Sequence, residues 1–142
     1  MTMTTVEQLE AEVMDAFRGL VEASRALDAE RYFDYIDQDK FTGLSAEGKA
    51  WHAFTDLENV ISSGFQMIDR IVSLEFFNVK VTVIHPATAI LVNEFRQRIR
   101  LKNTDLVEQA GGGTQVWCKS THGWKLVSIS ASEAKQRAQP VL

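Results

Sequence analysis

Apolar residues recur at spacings of three and four in the first half of the chain and at spacings of two in the second. Val6, Leu9, Val13, Phe17, Leu20, Ser24 and Leu27 form one stripe with a single polar interruption, which predicts an amphipathic helix packed on a core. Thr5-Val-Glu-Gln8 has the form of a capping box at its start. Asp28 is placed to cap a second, short helix with Tyr32, Phe33 and Ile36 on its buried side. Asp37 to Lys40 break the pattern, and Phe41 to Leu44 read as a short strand. Trp51, Phe54, Leu57, Glu58, Ile61, Phe65 and Ile68 again follow helical spacing and predict a third helix. Gly64 lies on the same side as Ile61 and Ile68, which implies close approach to a neighbouring element at a cost in helix propensity.

From about residue 70 the period is two: Phe77, Val79, Val81 and Val83 alternate with polar residues until His85-Pro86. Three further strands are expected, from Ala89 to Leu101, Leu106 to Lys119 and Trp124 to Ser132, joined as antiparallel hairpins by short turns. Thr121-His-Gly123 fits a three-residue loop with glycine in the left-handed position, which pairs Ser120 with Trp124. That register puts Trp117, Val127, Gln115 and Ile129 on one face, toward the helices. Val116, Cys118, Leu126, Ser128 and Ser130 share the other face. This second face is too apolar for water and is expected to join two copies as a homodimer. Helices first and strands last make an α+β domain, expected over residues 1–132 with a loose tail at 133–142.

Composition narrows the function. The 142 residues hold 15 Lys+Arg and 19 Asp+Glu, a net charge of −4, with 45% hydrophobic residues. An acidic chain without a basic block is a poor nucleic-acid ligand, and no stretch is apolar enough to span a membrane. One cysteine and a start without a cationic or apolar leader point to a cytoplasmic protein. No dinucleotide turn, phosphate loop or ligand-spaced Cys/His set is present, so no cofactor or metal is expected. Gly111-Gly-Gly113 is read as a bulge or bend that helps a sheet curve.

Glu94, Arg96, Arg98 and Arg100 alternate along one strand face, either lining a ligand site or forming a row of cross-strand ion pairs. Glu94 and Arg96 are the better candidates for a cavity. His52 and Asp56, four apart, are an acid–base pair or an exposed helix contact. Tyr32, Tyr35, Trp51 and Trp117 either pack plainly in the core, the default for each, or offer hydroxyl and indole donors at a cavity mouth with Trp117 on its wall.

The element order and the last two strands, Thr114-Gln-Val-Trp-Cys-Lys and Gly123-Trp-Lys-Leu-Val-Ser-Ile-Ser-Ala-Ser132, resemble the nuclear transport factor 2-like superfamily. Within it they lie near the polyketide-cyclase-like (SnoaL-like) and kinase association-domain branches. Val116, Trp117, Lys119, Gly123, Trp124, Leu126, Val127 and Ser132 carry the match, which spans about residues 6 to 132. The resemblance implies a cone: a strongly curved antiparallel sheet wrapped around N-terminal helices, with a cavity at the open end and a dimer across the outer face. Where many relatives have histidines this chain has Ser128 and Ser130, and Gln115 replaces an arginine. Leu20 and Gly43 or its neighbours stand where the ketosteroid isomerase branch has its tyrosine and carboxylate, so that activity is not implied. The expectation is a small-molecule pocket using Tyr35, Trp51, Glu94, Arg96, Gln115 and Trp117. The alternatives are a lyase, isomerase or hydrolase in the same pocket, and a protein-association module.

Overall fold

The computed structural model describes residues 5–134. Its first helix, α1 (Val6–Arg25), opens on the expected capping box: the Gln8 amide donates to the Thr5 hydroxyl at 3.1 Å, and the Thr5 amide donates to the Gln8 side chain at 2.8 Å. Leu9, Val13, Phe17 and Leu20 are buried along one stripe. The helix ends through Leu27 in the left-handed region (φ 54), with the amides of Leu27 and Asp28 donating to the carbonyls of Ser24 and Ala23. Asp28 then caps α2 (Ala29–Asp34), its carboxylate accepting from the Arg31 amide.

Two short strands follow, β1 (Thr42–Leu44) and β2 (Ala50–Trp51), before α3 (Phe54–Met67). The helical spacing that includes Trp51 extends too far forward. Trp51 belongs to β2 and lies against Phe41, with ring centroids 6.4 Å apart. Asp56 sits in the first turn of α3, where its carboxylate accepts from the backbone amides of His52 at 3.0 Å and Ala53 at 3.3 Å. It therefore completes a helix start, and because His52 precedes α3 the two residues do not share a helix face, as both the acid–base and the helix-contact readings supposed.

The chain passes directly from α3 into β3 (Ile68–His85), then β4 (Thr88–Leu101), β5 (Leu106–Ser120) and β6 (Gly123–Glu133). The six strands form one sheet in the order β2-β1-β6-β5-β4-β3. Neighbours are antiparallel except β1 and β6, which run parallel. Helices pack on the concave face around a core that includes Trp117, Leu91 and Leu126, all fully buried. This is the α+β cone expected from the sequence. Glu133 still pairs with Gly111, so β6 runs slightly past the expected end; residues 135–142, the remainder of the expected tail, lie outside the described residues. Among the described residues no helix is long and apolar enough to cross a membrane.

The last hairpin corrects the expected register in its upper half. Ser120 pairs with Gly123 (φ +94), Cys118 with Lys125 and Trp117 with Leu126; a bulge follows, and from Val116–Ser128 onward the pairing is the expected one. Leu126 thus leaves the outer face and enters the core beside Trp117. The bulge coincides with backbone pairing from outside the hairpin. The Leu126 amide donates to the Tyr35 carbonyl at 2.7 Å, and the Asp37 amide donates to the Leu126 carbonyl at 3.0 Å.

Gly111–Gly113 form no bulge, because the β4–β5 register runs through them unbroken. They allow close backbone approach instead: a Cβ on Gly111 would stand 2.0 Å from the Ser132 carbonyl oxygen.

Candidate functional site

The concave face of the sheet and the three helices line a partly open cavity of about 580 Å³. Its helical wall comes from Phe17, Leu20 and Ser24 of α1, Tyr32 of α2, and Ile61 and Phe65 of α3. Its sheet wall is built by alternation. On β4 the odd positions Asn93, Phe95, Gln97 and Ile99 face inward, with Gln109 and Gln115 contributed by β5. The aromatic rings interlock edge to face: Phe17 and Phe76 have centroids 5.2 Å apart, and Tyr32 and Phe65 6.1 Å.

The polar part of the lining consists of neutral groups. Gln97 donates to Gln109 directly across β4–β5 at 2.6 Å, and the buried Trp117 indole donates to Gln115 at 2.9 Å. Each amide pairing leaves further donor or acceptor capacity on the same side chains. Burial alone pushes the Tyr32 phenol up to about 12, so it is a neutral donor throughout the ordinary pH range. Among the described residues the lining carries no carboxylate, imidazole, thiol or cationic side chain. Such a wall suits hydroxyl, carbonyl or ether groups on an apolar body, and it resists a charge, whose burial without a partner is costly.

The structure separates the residues that the sequence reading grouped. Gln115 lines the cavity, and Trp117 lies behind it in the core. The Tyr35 phenol is packed over Gly19 of α1, where a Cβ would stand 1.9 Å from its hydroxyl oxygen. Neither Tyr35 nor Trp51 reaches the cavity wall. Glu94 and Arg96 point to the opposite side of β4. Arg96 pairs with Glu75 at 3.3 Å and lies over the Phe77 ring at 4.6 Å, Arg98 pairs with Glu108 at 3.1 Å, and Glu94 accepts from Asn78. From Glu94 to Arg98 the charged row is a set of cross-strand contacts on the convex face, while Arg100 donates to the Thr104 carbonyl in the turn after β4.

That convex face also carries Val116, Cys118, Ser128 and Ser130, together with Val92, which is 40% exposed. Asn93, Gln97 and Gln109 are amide lining residues that the sequence reading missed, as are the aromatic Phe17, Phe65, Phe76 and Phe95. The available signal was the contrast within β4: amides tolerate a shielded face better than guanidiniums do, so the odd positions are the inward ones.

A curved sheet closed by helices over an apolar cavity defines a class of α+β cone-shaped domains. The chain belongs to the SnoaL-like domain family, whose pattern matches residues 13–135. Solved structures agree on the fold. A candidate dehydratase of the NTF2-like family from Streptomyces avermitilis superposes with a TM-score of 0.81 at 18% identity, covering 92% of this chain and 99% of the other. An NTF2-like superfamily protein from Salmonella enterica gives 0.82 at 12% identity, covering 95% and 97%. The association domain of C. elegans CaMKII gives 0.71 at 16% identity, covering 89% and 96%. No curated protein matches the sequence at a significant level.

Proposed function

We propose that this SnoaL-like domain binds an uncharged, largely apolar small molecule within the cone. The observation that carries the reading is the lining itself: aromatic and aliphatic walls with a strip of neutral amides and one neutral phenol. Binding comes from burial of the ligand's apolar body, and orientation from hydrogen bonds to Gln97, Gln109, Gln115 and Tyr32. Proton transfer in a lyase, isomerase or hydrolase is most often carried by an imidazole, carboxylate or amine, and the described lining has none of these, the Tyr32 phenol being its one ionisable side chain. The likeness to a candidate dehydratase is one of fold and does not supply such a group.

Calorimetric titration with 2-naphthol and 2-naphthoate tests this reading, because the two probes share an apolar body and differ in charge. The alcohol should bind at least about tenfold more tightly than the carboxylate. Equal affinity, or preference for the carboxylate, contradicts the proposal.

The domain is further proposed to act as a homodimer through its convex sheet face. Val92, Val116 and Cys118 support this, as apolar side chains left uncovered by the helices. The likeness in fold to the association domain of C. elegans CaMKII is consistent with such use of the fold.

A further inference from the structure

Gly64 begins the last turn of α3, a helical position at which glycine is less favourable than alanine. The usual structural reasons for tolerating it are missing. It is not among the glycines with positive φ, and a Cβ built on it would meet nothing within 4 Å. Other glycines of the chain behave differently: a Cβ would come within 1.9 Å of Tyr35 at Gly19 and within 2.3 Å of the Ile129 carbonyl oxygen at Gly43. The close approach expected at Gly64 from its place in the stripe is therefore not what it provides.

What surrounds Gly64 is the cavity. Val60 and Ile61 one turn before it, Phe65 beside it, and Met67 and Ile68 one turn after it all line the same space as Gly64 itself. The missing side chain thus leaves open space on the cavity side of α3, between the lining residues Ile61 and Phe65 and the exposed Val60 and Met67. Resting on the pocket reading above, we propose that Gly64 is a size-determining residue for the ligand. Its bare backbone makes room for the wide part of an uncharged, flat, fused-ring body held among Phe17, Phe65, Phe76 and Phe95. Aromatic walls suit such a body because ring edges and faces pack against it without requiring charge.

The test uses Gly64→Ala and Gly64→Leu with two neutral fluorescent probes, 2-naphthol and the wider 1-hydroxypyrene. Gly64→Leu should lose at least about tenfold in affinity for 1-hydroxypyrene and less than about threefold for 2-naphthol, as expected when side-chain volume intrudes on the larger ligand. Gly64→Ala should show a smaller loss in the same direction and unfold at a higher temperature than the wild type, since alanine favours the helix. Undiminished binding of 1-hydroxypyrene by Gly64→Leu overturns the proposal. So does a lowered unfolding temperature for Gly64→Ala, which would reveal a structural need for glycine. Wild-type protein that takes 2-naphthol but refuses 1-hydroxypyrene also overturns it while leaving the pocket reading in place. Wild-type protein that takes neither overturns the pocket reading and this inference together.

Discussion

Glu12 on α1 holds the last hairpin through two partners: its carboxylate accepts from the Trp124 indole at 2.8 Å and pairs with the Lys119 ammonium at 3.0 Å. The indole hydrogen bond, and after it the lysine, hold this carboxyl below its usual 4.5. A lowered folded-state value means that the contribution is present above 4.5 and is lost as the pH falls through the folded value. The Glu12 side chain is 40% exposed, so solvent screens the pair and its worth is on the order of a few tenths of a kcal/mol. Glu12→Gln should therefore cost little at pH 7 and should flatten the acid limb of the stability curve. Urea unfolding midpoints of the two proteins at pH 7 and at steps below 4.5 check this; parallel curves would contradict it. None of this was legible in the sequence. Glu12 lies beside the apolar stripe of α1 as an ordinary solvent-facing residue, and its partners lie more than a hundred positions away. The caps at Thr5 and Asp28 were legible, because a cap and its partner amide are three residues apart.

At the scale of elements, the strands β3 to β6 follow from alternation and from turn residues, both local signals. The β5–β6 face assignment did not fully follow. Its upper half depends on a bulge whose extra residue accompanies the pairing of Leu126 with Tyr35 and Asp37, a contact between distant segments. Trp51 was misplaced for a related reason, since a two-residue strand has no period and its spacing to Phe54 mimics a helical turn. On β4 the periodicity correctly separates two faces but does not say which one is concave. The charges of Glu94 and Arg96 attracted a ligand role, whereas their partners Asn78 and Glu75 on β3 occupy them on the convex side. The convex face of β4 to β6 carries the next prediction. If it joins two copies, light scattering at micromolar concentration should give twice the monomer mass, and Val116→Glu should halve it by placing a charge among Val92, Thr114 and Ser128. A monomeric wild type would contradict the dimer.

For the whole molecule, the cavity is a consequence of curvature. Residues 111–113 let β5 draw close to β6 and β4, and the concave face lies under the three helices with space left between them. The sequence indicated a cone through its resemblance to a fold family. The volume and polarity of the cone depend on how far the sheet bends and on which strand faces turn inward, and both are properties of the assembled fold. In that space Asn93, Gln97, Gln109 and Gln115 replace the charged groups that the sequence made conspicuous. The central claim is that an uncharged ligand sits among these amides. The most direct measurement is nitrogen-15 NMR of the labelled protein titrated with 2-naphthol, following the side-chain amide signals. Shifts at Gln97, Gln109 and Gln115, with the guanidinium signals of Arg96 and Arg98 unmoved, are the predicted result. Shifts confined to the convex face, or none at all, would contradict the account.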